Sequence, residues 1–238
     1  MEANKKETDR TVTIEPRVAV VGIGGAGCNI VSGFYRTLAP VNTIAINTDK
    51  KALDETAADK KVYICKAVTK GESTRGDARL GKNCADANRA EIEAAVSGHD
   101  VVFIIAGLGG GTGSGAASVV ADICSSKRMM TFTIAINPFF FEQDRIPVAR
   151  EGLMAIRSAC PNTYVIENDN ILDRMRDATL NEAMRAVNES IIDFVCRTIS
   201  ETVSALEKEI KTIHTEVISG KIDMGAMPDI KISSEINI

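Results

Sequence analysis

A run of glycines between residues 106 and 117 has the composition of a loop that binds phosphate. Six of these twelve residues are glycine, and the others are small except for Leu108. Glycine lets backbone N–H groups approach an anion closely, and a helix that begins beside such a loop adds the partial positive charge of its N-terminus. A flexible linker is the alternative, but Gly/Ser linkers do not usually separate a buried strand from a helix. The run therefore predicts a phosphate-binding loop.

A second glycine motif, G-x-G-x-x-G at residues 22–27, follows the first apolar run of the chain. Residues 17–21 are predicted to form a strand, and a helix is predicted from Cys28 to about Thr37. Strand, glycine turn and helix in this order are typical of the first nucleotide-binding turn of a doubly wound sheet. Alone, the motif is equally compatible with an ordinary strand-to-helix turn. The second glycine run later in the chain favours nucleotide binding.

Both motifs need a sheet to bring them together, and the apolar pattern supplies one. Further strands are predicted at 43–46, 62–65, 101–105, 130–136 and 163–166, and helices at 83–96, 116–124 and 148–159, with a short helix or loop at 50–59. Alternating strands and helices predict an α/β fold with a doubly wound, mainly parallel sheet and helices on both faces. The glycine and polar clusters follow strand ends, which is where such sheets bind ligands.

Three polar clusters at strand ends are candidates for contacts with a nucleotide. Asp49 stands where a ribose would bind, although it is also compatible with a solvated turn or with a Mg-nucleotide. The loop at 69–81 holds three glycines and three basic residues, and is either a surface loop or a segment that reaches over the terminal phosphate. Glu142 and Arg145 follow three aromatic residues and are predicted to face the ligand.

The last third of the chain predicts a long helix. Thr179 and Glu182 form a capping-box pattern, and apolar residues then recur every three or four positions up to Val217. The helix is either continuous, at roughly 58 Å for 1.5 Å per residue, or two helices in series. Its second half has the period of a coiled-coil seam. Packing against its own domain and pairing with a partner helix both remain open. Residues 220–238 are predicted to be a short, loosely ordered tail.

The composition excludes several classes of function. The chain has 238 residues, of which 45% are hydrophobic and 25% charged, with a net charge of −4, so no nucleic-acid or anionic-membrane partner is indicated. There is no apolar run of about 18 residues and no signal peptide, which makes a cytoplasmic location the expectation. With only His99 and His214, a histidine-rich metal site is excluded and no protein metal ligands are predicted.

The cysteines are predicted to be reduced. They are dispersed along the chain without a C-x-x-C motif, and several have apolar or small neighbours, which is typical of packed thiols rather than of a disulfide framework. The six positions are Cys28, Cys65, Cys84, Cys124, Cys160 and Cys196.

Taken together, these motifs resemble the tubulin/FtsZ superfamily of polymerising GTPases, and within it FtsZ and FtsZ-like proteins. The sequence GGGTGSG at 109–115 is the family's signature. Other segments follow in the family's order: GIGGAGCN at 22–29, NTD at 47–49, the polar glycine loop at 68–81, NPFFFE at 137–142, END at 167–169 and a long central helix from 180. The resemblance covers residues 17–203.

The resemblance implies a site for GTP or GDP, with Mg²⁺ as companion ion. The residues implied to approach the α- and β-phosphates are Gly25, Ala26, Gly27 and Cys28, with Asn29 close by. Those implied to cradle the phosphates are Gly109, Gly110, Gly111, Thr112 and Gly113. Those implied to contact the ribose, phosphates or guanine are Asp49, Glu142, Arg145, Asn168, Met184 and Asn188. The loop from Gly71 to Gly76, with Arg75, is implied to sense the γ-phosphate.

The chain departs from the family pattern in several places. Met184 stands where the family usually has a phenylalanine stacked on the base, and Arg145 is one residue closer to Glu142 than usual. The N-x-D-x-x-D segment that completes the catalytic site of the next subunit is not evident after the helix; Asp223 and Asp229 do not match it. The family's second domain is expected to be absent. Residues 1–16 are predicted to be a disordered arm, 17–203 the GTP-binding domain, and 204–238 a helical extension with a short tail.

These observations predict a cytoskeletal or cell-division factor that binds guanine nucleotide. Its GTPase activity is expected to be weak or to need a partner subunit, either another copy or a full-length FtsZ-like homologue, and its catalytic residues are unknown. One alternative is a regulator that binds GTP or GDP without hydrolysis and engages a partner through its C-terminal helix. A second alternative, an NAD-dependent oxidoreductase, leaves the glycine run at 107–115 unexplained and lacks side chains for hydride chemistry.

Overall fold

The computed structural model of the protein describes residues 12–13, 16–35, 41–172, 179–218 and 230–231. The strands are β1 Val12–Thr13, β2 Val18–Ile23, β3 Val41–Asn47, β4 Lys60–Tyr63, β5 Val101–Gly107, β6 Met130–Asn137, β7 Thr163–Glu167 and β8 Ile230–Lys231. The α-helices are α1 Gly24–Phe34, α2 Lys50–Glu55, α3 Lys66–Thr69, α4 Ala78–Ala87, α5 Arg89–Val96, α6 Gly111–Ser126, α7 Ile146–Ala159, α8 Asp169–Leu172 and α9 Leu180–Ile218, and a 3-10 turn spans Gln143–Arg145.

Six of the strands form one parallel sheet in the order β4-β3-β2-β5-β6-β7. Within this sheet, β2 comes first in sequence and is followed on one side by β3 and β4. The chain then crosses back, and β5, β6 and β7 follow on the other side of β2. This confirms the predicted doubly wound α/β fold. The direction of winding reverses between β2 and β5, and the crevice above such a point is where open sheets bind ligands.

Alternate residues of each central strand enter two separate hydrophobic cores. On one face, Val21 and Ile104 pack under α4, α5, α6 and α7. On the other face, Val20 and Phe103 pack against α1 and α9. Because both faces are covered, the strands are apolar along nearly their whole length, which is the pattern expected of a buried parallel sheet.

The two glycine motifs are the first turns of helices rather than open loops. Helix α6 begins at Gly111, not at Ala116 as predicted, and α1 begins at Gly24, not at Cys28. The physical reason in α6 is a close approach of backbones. A Cβ atom at Gly115 would lie 2.0 Å from the carbonyl oxygen of Ala78, so only glycine allows α4 and α6 to lie this close.

The single helix predicted over residues 83–96 is wrong, because two helices occupy this stretch. The side chain of Asp77 accepts a hydrogen bond from the N–H of Leu80, which starts α4 before the predicted point. Asn88 leaves the helical conformation at φ −114° and ψ 23°, and its side chain donates to the carbonyl of Cys84. This break separates α4 from α5.

The prediction that all cysteines are reduced is also wrong, since Cys65 and Cys84 form a disulfide. The other four cysteines are free, and Cys28, Cys124 and Cys160 are buried. The two bonded residues are 19 positions apart in the sequence, and nothing in their spacing indicates the contact. The pairing arises because both cysteines are buried in the same hydrophobic core, on one face of the sheet.

Helix α9 is continuous over 39 residues. The predicted capping box is present: Glu182 accepts from the backbone N–H and the hydroxyl of Thr179, and the N–H of Glu182 donates to that hydroxyl. This hydrogen bonding lowers the pKa of Glu182. The helix packs on the sheet through a stripe of buried residues, which are Val187, Ile191, Val195, Ile199 and Val203.

Of the arm and tail assigned from sequence, the described residues show one feature, a parallel pairing of β1 with β8. The remainder of 1–15 and of 219–238, with Asp223 and Asp229, lies outside the described residues, so the predicted disorder and domain boundaries stay predictions. None of the described helices is both long and apolar enough to cross a membrane.

Candidate functional site

A cleft of about 540 Å³ lies at the carboxyl edge of the sheet, above the point where the winding reverses between β2 and β5. Its walls come from segments far apart in sequence. They are the first turns of α1 and α6, the ends of β3 and β6, the loop before α4 and the start of α9. The parallel sheet brings them together because every strand delivers its following loop to the same edge.

Two helix N-termini point into this cleft. The first-turn residues Gly24, Gly25 and Ala26 of α1 line it, as does the stretch from Gly110 to Gly113 at the start of α6. Among the described residues no side chain caps either helix. First-turn N–H groups have no partner within their own helix, so both ends present donors together with the positive end of the helix dipole. This arrangement suits a bound anion with several phosphate oxygens.

Some of the glycines implied to touch phosphate are packed inside instead of lining the cleft. A Cβ at Gly27 would lie 2.4 Å from the carbonyl oxygen of Ile105, so this glycine lets α1 rest directly on β5. Gly109 has φ +85°, a conformation that favours glycine, and its N–H donates to the hydroxyl of Ser114 at 2.9 Å. Both glycines shape the cleft from beneath.

Cys28 and Asn29 are not on the cleft wall either. The Cys28 thiol is buried and lies 3.6 Å from the carbonyl oxygen of Gly22, and burial raises the pKa of this thiol to about 12. Its side chain packs with Ala45 and Leu53 on the far side of the helix. Asn29 is exposed to solvent.

Three buried hydroxyl groups meet behind the first turn of α6. The Oγ1 atoms of Thr48 and Thr112 are 2.8 Å apart, and Oγ1 of Thr74 is 3.4 Å from that of Thr112. Thr48 follows β3, Thr112 belongs to α6 and Thr74 to the loop before α4. The cluster therefore joins three walls of the cleft. The Thr112 hydroxyl is used in these contacts, whereas the Thr112 N–H lies in the uncapped first turn of α6.

The end of β3 supplies an amide and a carboxylate to the cleft. Asn47 accepts from the N–H of Thr48 and of Asp49 through Oδ1, at 2.9 and 3.3 Å. Its buried Nδ2 has no hydrogen-bond partner among the described residues, and the residue lines the cleft. Asp49 caps α2 by accepting from the N–H of Ala52 at 3.0 Å. A buried donor without a partner is costly, so Nδ2 is suited to a ligand acceptor.

The two arginines that line the cleft each form an ion pair with a nearby carboxylate. Arg145 contacts Glu142 at 2.8 Å, and Glu142 also accepts from the N–H of Phe139 at 3.0 Å. Arg75 pairs with Glu72 at the surface of the loop before α4. Arg75 has φ +49°, a left-handed conformation that is uncommon outside glycine. Both guanidinium groups are more than half exposed and adjacent to the uncapped helix ends.

Part of the cleft wall is apolar. Phe139 and Phe141 stack with ring centroids 5.2 Å apart, and Met184 of α9 lies on the wall with 49% of its surface exposed. Asn168 also lines the cleft, and its buried Oδ1 has no partner among the described residues. Flat apolar walls with one unpaired acceptor suit an aromatic base that carries N–H groups. Asn188 is outside the wall, one turn beyond Met184.

Most of the residues proposed from sequence therefore meet in one cleft. Those on its wall are Gly25, Ala26, Asp49, Gly76, Gly110, Gly111, Thr112, Gly113, Glu142, Arg145, Asn168 and Met184. Those off the wall are Gly27, Cys28, Asn29, Gly109 and Asn188. The roles assigned to both sets stay predictions. The sequence interpretation missed the side chains of Asn47 and Thr74, although both occupy strand-end or loop positions that the fold brings to this edge.

The chain is similar to known proteins over most of its length. The GTPase-domain model of the Tubulin/FtsZ family matches residues 17–176. The chain belongs to the Tubulin/FtsZ family. Cell division protein FtsZ 2 of Methanocaldococcus jannaschii is 35% identical over 191 residues, which are 80% of this chain and 50% of that protein. Cell division protein FtsZ of Neisseria gonorrhoeae is 33% identical over 202 residues, or 84% and 51%.

Solved structures of FtsZ and CetZ proteins share the fold of this FtsZ-family domain. An empty FtsZ dimer from M. jannaschii superposes with a TM-score of 0.74 at 35% identity, covering 76% of this chain and 54% of that one. CetZ2 from Haloferax volcanii, in a GTPγS-bound protofilament, gives 0.66 at 25% identity, covering 75% and 57%. The chain spans about half the length of the curated relatives it matches.

Proposed function

We propose that the protein binds GTP and GDP in this cleft and acts in nucleotide-dependent assembly related to cell division. The proposal rests mainly on one observation. Two uncapped helix N-termini meet at the point where the sheet reverses its winding, in a cleft that also has an apolar wall formed by Phe139, Phe141 and Met184. The phosphates would lie against the first turns of α1 and α6, and the base would lie between the stacked phenylalanines and α9.

Asn168 supports guanine as the base. Its unpaired Oδ1 is an acceptor, and the edge of guanine carries N–H donors at N1 and N2, whereas adenine has no donor at either position. A site built to pair with a ligand N–H rejects analogues that lack it, because the buried acceptor then stays unpaired. Asn188, on the same helix face as Met184, would approach the base from the side of α9.

Asp49 is the residue of this chain that best suits a magnesium ion carried by the nucleotide. The cleft wall has two carboxylates, and the other, Glu142, is already paired with Arg145. Magnesium usually keeps several waters and takes one or two carboxylates together with phosphate oxygens. When bound, the ion would neutralise charge on the phosphates. The protein side would then contribute backbone donors from two helices and a single carboxylate.

We propose slow hydrolysis of GTP to GDP and phosphate by the isolated chain. Phosphoryl transfer depends on positioning the phosphates and on orienting the attacking water. The first-turn N–H groups and Arg75 supply positioning and positive charge. Of the two cleft carboxylates, Asp49 is assigned to the magnesium ion and Glu142 is held in an ion pair, so neither is left to orient a water. That group would come from another subunit, either a second copy or a full-length FtsZ-like homologue.

An alternative is a nucleotide-binding regulator that does not hydrolyse GTP and engages a partner through the end of α9. One observation favours it. Among the described side chains of α9, the last buried one is Glu207, whereas Ile213, further along the helix, is 44% exposed. An apolar residue left outside the core suits a contact with another chain.

The experiment is a titration with fluorescent GTP, GDP and ATP, followed by GTP turnover and light scattering with and without a two-domain homologue. Gly25→Asp and Gly25→Ala are a matched pair, because no described atom lies within 4 Å of a Cβ there. The carboxylate should repel phosphate and weaken GTP binding by well over tenfold, or more than about 1.4 kcal/mol, while the methyl has a smaller effect. Equal binding of GTP and ATP would refute the guanine assignment. Turnover by the chain alone as fast as with the homologue would refute the need for a partner.

A further inference from the structure

The disulfide between Cys65 and Cys84 closes a loop of chain that reaches into the nucleotide cleft. Cys65 follows β4 and precedes α3, and Cys84 lies within α4. The segment between them carries four residues of the cleft wall, which are Ser73, Thr74, Arg75 and Gly76. The bond itself is in the hydrophobic core under α4, where Cys65 is 8% and Cys84 0% exposed.

The middle of this loop, residues 70–77, is largely exposed, while the α4 residues that follow pack closely against α6. Six of the eight residues in the stretch 70–77 are exposed. The carbonyl of Gly71 accepts from the N–H of Lys50 at 3.0 Å, and the Thr69 hydroxyl donates to the carbonyl of Thr48 at 3.4 Å. Thr74 adds its hydroxyl contact with Thr112. A covalent link behind this largely exposed segment limits how far its cleft residues can move.

We propose that Cys65 and Cys84 are a reversible thiol–disulfide site whose state sets the affinity of the cleft for nucleotide. The inference rests on the proposed function, since it requires nucleotide in the cleft. With the disulfide formed, the segment is already ordered when the phosphates arrive, and a pre-organised wall binds more tightly because less freedom is lost on binding. With the thiols reduced, the ligand itself must order residues 73–76.

The coupling is reciprocal by thermodynamic linkage. If the disulfide tightens nucleotide binding by some factor, bound nucleotide must favour the disulfide over the dithiol by the same factor. Bound nucleotide should also slow reduction, because Cys84 is fully buried and a reductant reaches it only when the segment opens. The segment lies beside the end of α6 where the terminal phosphate is expected, so the effect should be larger for GTP than for GDP.

The chemistry is an ordinary thiol–disulfide exchange with a small disulfide such as oxidised glutathione. The thiolate of one cysteine attacks a sulfur of that disulfide, forms a mixed disulfide and releases one small thiolate. The second cysteine, as its thiolate, attacks the protein sulfur of the mixed disulfide and displaces the other small thiolate. Two protein thiols lose two electrons and two protons, and the small disulfide becomes two thiols.

The remaining cysteines lie outside the loop closed by the disulfide, and three of them, Cys28, Cys124 and Cys160, are buried. Burial raises the pKa of Cys28 and of Cys124 to about 12, which leaves almost no thiolate at neutral pH. Burial also raises the pKa of the half-buried Cys196. Cys196 lies on α9, outside the loop closed by the disulfide, so Cys196→Ser is the matched control for loss of a thiol.

The test compares the full chain after oxidation with oxidised glutathione and after reduction with dithiothreitol. Titration of thiols in denaturant should find four in the oxidised protein and all six in the reduced one. Fluorescent GTP should bind the oxidised protein about tenfold more tightly, which corresponds to about 1.4 kcal/mol. The Cys65→Ser/Cys84→Ser double variant should bind like the reduced protein under both conditions, and Cys196→Ser should keep the full response.

In a glutathione redox buffer, GTP should shift the disulfide–dithiol ratio by the same tenfold. Equal GTP affinities of the oxidised and reduced protein would overturn the coupling, and so would six free thiols after oxidation. Failure of both forms to bind GTP would refute the proposed function and the coupling with it, while the thiol titration still reports the bond. If the double variant does not fold, the reduced wild-type protein provides the same comparison.

Discussion

The contact between α6 and the loop before α4 makes Gly111→Ala the sharpest single test of the cleft. A Cβ built at Gly111 lies 2.0 Å from the hydroxyl oxygen of Thr74, and 2.7 and 2.8 Å from the backbone oxygen and nitrogen of Asp77. Ordinary contacts of a carbon atom are at about 3.5 Å. The loop would therefore have to retreat by about 1 Å, which separates Thr74 from the hydroxyl of Thr112.

The expected cost follows from overpacking. Extra methyl groups in well-packed regions cost about 1–3 kcal/mol, and the better helix propensity of alanine recovers at most about 1 kcal/mol of this. We expect the variant to lose about 2 kcal/mol, which lowers the ratio of folded to unfolded protein about 30-fold. Nucleotide affinity should fall as well, because the displaced loop carries part of the cleft wall.

The control is the same substitution one residue earlier. Among the described atoms none lies within 4 Å of a Cβ at Gly110, and its φ of −91° suits any residue. Gly110→Ala should change the free energy of unfolding by less than about 1 kcal/mol, which is the difference between glycine and alanine at an N-cap. Its main effect should be on nucleotide binding. Urea unfolding and a GTP titration of both variants measure the two effects. If Gly111→Ala unfolds at the same urea concentration as wild type, the described packing of the loop on α6 is wrong.

Three further predictions use other parts of the domain. Asn168→Ala removes a buried acceptor without a partner among the described residues, so competition titrations should show weaker discrimination of GTP from ATP while the urea midpoint stays equal or rises. Hydrogen bonding to Arg17 lowers the pKa of Asp100. The ion pair therefore stabilises the fold above the unfolded-state pKa of Asp100, and this stabilisation is lost as pH falls through the lower folded-state pKa. Asp100→Asn should be less stable than wild type to urea at pH 7, and the two proteins should become equally stable in acid. Ile191→Ala, at a fully buried site on α9, should cost about 2–5 kcal/mol, and Ile213→Ala, at an exposed one, less than about 0.5 kcal/mol in the same unfolding experiment.

The sequence predicted the sheet well because its strands are buried on both faces. A strand such as Val101–Gly107 has apolar residues on both sides, and only a parallel sheet covered by helices requires that. The capping box at Thr179 was readable for a similar reason, since both partners lie within four residues of each other. Features whose physical cause is local in sequence could be predicted.

The features that could not be predicted arise from contacts between distant segments. Glycines after β5 indicate a loop in any local interpretation, whereas the close approach of Asp77 to Gly111 and of Ala78 to Gly115 shows that packing between distant segments requires glycine in this helix. The pairing of Cys65 with Cys84 likewise depends on the burial of both residues in the same hydrophobic core. In the cleft, the motifs indicated the correct segments, but which glycines face the ligand and which face the core depends on the packing of α1 on β5.

The length of α9 has a mechanical consequence for any signal that starts in the cleft. Met184, near its beginning, is on the cleft wall, and Ile218 is 34 residues further along, or about 51 Å at 1.5 Å per residue. The last 11 of these residues, about 16 Å, extend past Glu207, the last buried side chain among those described on the helix. Because a helix is stiff, a small rotation at one end produces a larger displacement at the other. If α9 tilted by about 5° about Met184, its far end would move by about 4 Å. The position of the far end of α9 therefore depends strongly on how the beginning of the helix is oriented at the cleft.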